Sequence, residues 1–219
     1  MSSGNFKHDL FNQFARIGKA LSNGNRLELL EFLAQSERSV DELAGISGLS
    51  VANTSQHLQL LRQSGLVTSR KDGLKVYYQV SNGDVIDLMY KVRKVAEREL
   101  ADVNLLLNTY LTVKDRLEPI AREELLNRVA EGLVSVIDVR PAEEYKVGHI
   151  PAAVNIPLPD LQKHLDEFDT EMEVVAYCRG PHCLLAFDAV AELRKHGLKA
   201  RRLEDGFPEW KQAGMPVEQ

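Results

Sequence analysis

The apolar pattern of the chain changes kind once, and that change limits the folds open to it. Up to about residue 110, apolar residues recur at helical spacing, interrupted by a single β-prone hairpin. After a compositional shift at 112–119, short buried-type apolar runs alternate with helical stretches. Alternating strands and helices imply a parallel sheet flanked by helices. A chain of 219 residues has room for two small cores. The expected architecture is therefore a mainly α domain over 1–112 and an α/β domain with a parallel central sheet over 118–219.

In the first part, Phe6, Leu10, Phe11, Phe14, Ile17 and Leu21 predict an amphipathic helix over 5–21. Asn23-Gly24-Asn25 breaks it, and Leu27, Leu29, Leu30, Phe32 and Leu33 form a second, buried helix. Ser39 caps a short third helix over 39–45, with Asp41 and Glu42 at its positive end. Gly45 and Gly48 bracket a turn, Ser50 caps a fourth helix running to about Ser64, and Gly65 stops it. Leu66-Val67 and Val76–Val80 flank Asp72-Gly73, a hairpin signal. A helix over 84–110 then carries a stripe (Val85, Leu88, Met89, Val92, Val95, Ala96, Val103, Leu106, Leu107, Tyr110) that needs a partner face.

In the second part, 122–130 reads as helix, 133–139 and 173–177 as buried strands, 160–168 as helix, 184–196 as helix, 200–203 as a short strand and 207–213 as a last helix. No apolar run approaches the roughly 18 residues of a membrane span. The start has no apolar h-region and no small-residue cleavage site, so no secretory signal is expected. Cys178 and Cys183 read as a cytoplasmic thiol pair, and the protein is expected in the cytoplasm.

The net charge of −5 is unevenly spread. Residues 1–112 hold 13 basic against 12 acidic side chains, and the remainder 14 against 20. Between 51 and 80, Arg62, Arg70, Lys71 and Lys75 face only Asp72, a local basic strip suited to a polyanion. On the fourth helix, Thr54, Leu58 and Leu61 fall on one face. Val51, Asn53, Ser55, Gln56 and Gln59 fall on the other, short and uncharged like groups that read base edges. With Ser50, these residues and the basic strip form the candidate DNA-binding set. His57 belongs to the same set, where it could touch phosphate or be a half-buried core histidine. Two short helices, a polar second helix and a basic hairpin make a winged helix-turn-helix.

The stretches ALSNGNRLELLEFL, SVDELAGISGLSVANTSQHLQLLRQSGLV and RKDGLKVYYQV resemble the ArsR family of dimeric bacterial repressors over about residues 10–90. The resemblance implies a homodimer formed by the first and last helices, gripping a double-stranded operator one helical turn apart. It departs from the metal-sensing members. Ser39 and Asp41 stand at the third-helix metal positions, and 84–110 has neither His nor Cys. No metal and no cofactor is expected.

The segment Tyr177-Cys178-Arg179-Gly180-Pro181-His182-Cys183 joins a buried strand to a helix. Cys178 is thus expected at the carboxyl end of a parallel strand, where loop amides and a helix end favour anions. Arg179 and the dipole should favour its thiolate. Two buried structural cysteines, or a zinc site lacking a fourth ligand, are the competing readings. VIDVRPAEEYKVGHIPAAVNIPL, VVAYCRGPHCLLAFDAVAELRKHG and RRLEDGFPEWKQAGMPV resemble a rhodanese domain over about 118–217. That resemblance implies Cys178 as sulfur acceptor, cycling between thiolate and persulfide.

It also implies Asp138, Arg140, Glu144, His149 and Gly180 as the wall of the site, with Gly206 and Trp210 supporting the loop. Pro181 replaces the usual Gly and Cys183 a frequent Arg, which leaves Arg179 and His182 as the cations for a sulfane-sulfur donor, thiosulfate or polysulfide. A related phosphatase would need Arg where Leu184 stands. Cys183 reads either as a resolving thiol or as a small apolar filler. The expected function is a DNA-binding regulator whose sulfur chemistry at Cys178 bears on DNA affinity. The alternatives are a sulfurtransferase that uses its winged helix only to dimerise, and a repressor with an inactive rhodanese fold.

Overall fold

The computed structural model describes residues 3–110 and 119–219, so the compositional shift at 112–119 lies, apart from Pro119, outside the described residues. The chain divides into two compact units that meet in sequence at Met89 and Tyr90.

The first unit begins with α1 (Ser3–Leu21) and α2 (Gly24–Gln35), the latter capped by Asn23, whose side chain accepts the Arg26 amide. Arg38–Ser39 forms a short strand, β1, absent from the sequence reading. Ser39 then caps α3 (Val40–Ser47) with a full capping box: its hydroxyl accepts the Glu42 amide, and Glu42 accepts the Ser39 amide at 2.7 Å. Gly48, at φ +70°, turns the chain into Ser50, the cap of α4 (Val51–Gln63). Leu29, Leu30, Leu33, Leu43, Leu58, Leu61, Leu66 and Tyr78 make the core. The inward face read on α4 is buried, Thr54, Leu58 and Leu61 alike.

The hairpin pairs β2 (Val67–Asp72) with β3 (Lys75–Val80), and β1 joins the far side of β3. Asp72 pairs with Lys75, so the two-residue loop is Gly73-Leu74, one position later than the Asp72-Gly73 reading. Gly73 alone takes a positive φ, +58°, which a turn with glycine first requires. The helix read over 84–110 is two helices, α5 (Gly83–Glu99) and α6 (Ala101–Tyr110). The Asn104 side-chain amide donates to the Glu97 carbonyl at 2.7 Å and so supports the last turn of α5 where the backbone ladder stops.

The second unit holds a four-stranded parallel sheet in the order β5-β4-β6-β7: β4 (Val134–Asp138), β5 (Ala153–Asn155), β6 (Glu173–Tyr177) and β7 (Ala200–Arg202). Around it lie α7 (Arg122–Ala130), α8 (Ala142–Val147), α9 (Leu184–Lys195) and α10 (Phe207–Gln212). Strand β5 and helix α8 were not read from sequence, being too short to show a period. The helix read over 160–168 is two 3-10 turns, Leu158–Lys163 and Leu165–Glu167, the first opening on Pro157 and Pro159.

The central strand β6 is covered on both faces, and its residues alternate between two cores. Val174, Ala176 and Cys178 pack with Ala189, Val190 and Leu193 of α9. Val175 and Tyr177 pack with Leu125 of α7 and Phe207 and Trp210 of α10. Period-two alternation of this kind is what a strand between two layers dictates.

Candidate functional sites

The first candidate site is the polar face of α4 with the hairpin. Val51, Gln56, Gln59 and Arg62 are exposed, while Asn53 and Ser55 are half-buried. Arg62 donates to the Ser69 hydroxyl at 3.1 Å, tying α4 to the wing. The basic strip is weaker than its sequence suggests. Arg70 is forked onto Glu37, bridged to Asp72 and stacked over Tyr77 at 4.7 Å. Hydrogen bonds to Glu37 and then Asp72 raise its pKa further. Lys71 and Lys75, by contrast, are exposed and form no ion pair among the described residues. Leu74, at the wing tip, is fully exposed. His57 is half-buried, its Nδ1 has no hydrogen-bond partner among the described residues, and burial, then Arg26, lowers its pKa.

The second candidate site lies at the carboxyl end of β6. Cys178 and Cys183 are joined as a disulfide, with their α-carbons 6.2 Å apart. Strand parity turns Cys178 into the layer beneath α9, where it is 1% exposed. Cys183 caps α9 and is half-buried. Its amide donates to the Gly180 carbonyl at 3.1 Å, closing the loop on itself. The sequence leads one to expect an easily ionised Cys178 thiol beside Arg179, with Cys183 as a thiol that could bond to it. In the bonded state the sulfur is enclosed instead, and the Arg179 guanidinium is forked onto Glu144, a carboxylate with no exposure. In this bonded state Arg179 is paired with Glu144. A buried carboxylate requires such a partner.

The wall residues form a connected frame. Arg140 and Asp138, both fully buried, pair bidentately, and Arg140 also donates to the Gly148 carbonyl at 2.8 Å and stacks on Phe207 at 4.2 Å. Burial works against the Arg140 charge, but the Asp138 hydrogen bond prevails and its pKa is raised. Asn155 donates to the Asp138 and Arg140 carbonyls, fixing the strand end. His149 stacks on Tyr145 at 3.8 Å, with Nδ1 3.1 Å from the Tyr145 carbonyl oxygen.

Gly206 touches the loop itself: a Cβ there would lie 2.3 Å from the Gly180 nitrogen. The Phe207 amide donates to the Cys178 carbonyl at 3.0 Å, fixing the start of the loop from the α10 side. His182 sits half-buried with Nε2 3.2 Å from Glu97 Oε1. Burial lowers its pKa, against the pull of Glu97. Arg202 donates to the Pro181 carbonyl at 3.5 Å and stacks on Phe187.

Four residues that meet this frame, Glu97, Arg202 and the ion pair of Arg93 with Glu209 at 2.9 Å, were not read from sequence. Arg93 and Glu97 precede the stretch that resembles the rhodanese domain, and nothing in their spacing singles them out.

No helix among the described residues is long and apolar enough to cross a membrane. Residues 23–69 match the model of the bacterial regulatory protein, arsR family, and residues 121–213 match the rhodanese-like domain. The HTH-type transcriptional regulator Rv0324 of Mycobacterium tuberculosis is 44% identical over 213 residues, covering 97% of this chain and 93% of that protein. A homodimeric winged helix-turn-helix DNA-binding domain from Mycobacterium bovis, solved by NMR, is 40% identical over 47% of this chain and 93% of its own, with a TM-score of 0.42. A rhodanese-related protein from Thermoplasma volcanium is 25% identical over 47% of this chain and 98% of its own, also with a TM-score of 0.42. The chain belongs to the arsR family of bacterial regulatory proteins, as a DNA-binding regulator whose winged helix is fused to a rhodanese-like domain.

Proposed function

We propose that the protein is a sulfur-responsive repressor, with residues 1–112 binding an operator as a homodimer and residues 118–219 taking up sulfane sulfur on Cys178. The observation that carries this reading is the bond between Cys178 and Cys183 at the carboxyl end of the central strand. The Cys178 thiolate attacks the outer sulfur of a hydropersulfide or polysulfide, R–S–SH. The donor S–S bond breaks, R–S⁻ leaves and takes a proton, and Cys178–S–SH forms. The Cys183 thiolate then attacks the inner sulfur, the bond to Cys178 closes and hydrosulfide leaves. The donor is reduced by two electrons and the thiol pair is oxidised by two.

On the DNA side, α4 enters the major groove with Gln56 and Gln59 toward base edges, while Lys71 and Lys75 neutralise phosphates. The dimer buries α1, whose Phe6, Phe11 and Phe14 are 66, 59 and 58% exposed in the single chain. The test is a gel shift with genomic fragments selected by the protein, at fixed salt, before and after polysulfide. At least a tenfold change in affinity that is absent in Cys178→Ser is expected. Unchanged affinity in the wild type refutes the reading.

The enclosure of Cys178 and the pairing of Arg179 with Glu144 favour a second reading, in which the domain binds a partner or ligand without turnover. A sulfur-transfer assay separates the two: activity lost in Cys178→Ser supports the first, and none in the wild type supports the second.

A further inference from the structure

The sulfur loop is held by residues outside the segment that matches the rhodanese-like domain. Residues 90–99, the second half of α5, belong to the same compact unit as the loop. Arg93 pairs with Glu209 Oε1 at 2.9 Å. The other oxygen of Glu209 accepts the Gly206 amide, and Gly206 lies against the backbone of Arg179 and Gly180. One turn along α5, Glu97 meets His182, the residue before Cys183. The first contact supports the start of the loop and the second its end. Glu209 and Arg93 are largely buried, so their contact is shielded from solvent screening, while His182 in the second contact is 34% exposed.

We propose that Arg93 and Glu97 are positioning residues of the sulfur loop, and that through them α5 registers whether the bond between Cys178 and Cys183 is closed. When a dithiol reductant opens the bond, the two cysteines return to thiols and the reductant becomes a cyclic disulfide. Cys183 is then no longer tethered to the strand, and His182 moves with it, away from Glu97. The first turns of the same helix carry Val85 into the core of the DNA-binding unit, with Met89 packed against it. A two-state change at one end of α5 therefore has a covalent route to the other. This rests on the sulfur reading above, and it names the element that carries the signal.

The experiment uses the full chain and measures affinity for a selected operator by fluorescence anisotropy, in the polysulfide-treated and dithiol-reduced states. The ratio of the two affinities is the readout, and mass spectrometry follows closure of the bond. Wild type is expected to show at least a tenfold ratio. Arg93→Gln and Glu97→Gln should fall to within twofold of unity while the bond still closes, and Arg93→Lys should recover most of the response. Full response in both glutamine variants overturns this inference and leaves the sulfur reading intact. A wild type without response overturns both. Loss of bond closure in the glutamine variants overturns the inference, because the response is then lost at the loop and not along α5.

Discussion

Replacing Gly206 with alanine tests the close approach on which the loop depends. The backbone there is extended, at φ −107°, so alanine meets no torsional penalty. What it meets is the loop: its Cβ would stand 2.3 Å from the Gly180 nitrogen and 2.4 Å from the Arg179 carbonyl carbon, where ordinary contact begins at 3.4 Å. The loop and the start of α10 must separate by about 1 Å. The hydrogen bond from Phe207 to Cys178, now 3.0 Å, then stretches beyond useful range. Overpacking costs about 1–3 kcal/mol and the lost hydrogen bond about 1 kcal/mol, which together make roughly 2–4 kcal/mol. For a unit of this size that lowers the melting midpoint by roughly 10 °C. Differential scanning calorimetry should show the fall, and polysulfide labelling of Cys178 should slow with it. Gly45→Ala is the control: it lies within α3, has open space around its α-carbon, and should gain up to about 1 kcal/mol. A Gly206→Ala protein that melts within 2 °C of wild type and labels at the same rate would refute the close-approach argument.

Asp138→Ala leaves Arg140 buried without its bidentate partner and should destabilise the second unit by about 3–5 kcal/mol, read by urea titration. Lys75→Ala should weaken binding on every operator and reduce the salt slope by about 1, whereas Arg70→Ala, whose charge is already met by Glu37 and Asp72, should change the slope less. Gln56→Ala should instead alter which operators are preferred, as read by selection from random DNA. His57 has a folded pKa below its unfolded value, so the unfolded chain binds the proton more readily. Its contribution is present above the unfolded value near 6.5 and is lost as pH falls through the folded pKa. The melting midpoint of wild type should therefore drop more than that of His57→Gln between pH 7.5 and 5.5.

The sequence made most elements legible wherever a period had room to show. The caps at Ser39 and Ser50, the inward face of α4 and the buried runs of β4 and β6 follow directly from residue pattern. The break between α5 and α6 was hidden because the apolar stripe runs through it, while the contact that shapes it is one polar side chain, Asn104. The pairing of Arg70 was not legible because Glu37 lies 33 residues away in sequence. The candidate sulfur site was legible as a loop between strand and helix. Its enclosure was not, because Arg179 turns to Glu144, 35 residues earlier, and the supports from α5 lie outside any local motif.

The two-residue rhythm of β6 also constrains how such a site can change over time. Inserting a single amino acid into that strand would swap its faces, sending the cysteine toward Trp210 and the bulky Tyr177 ring beneath α9. Only paired insertions or deletions keep the thiol in its layer, so strand length in this lineage should vary by even steps or not at all.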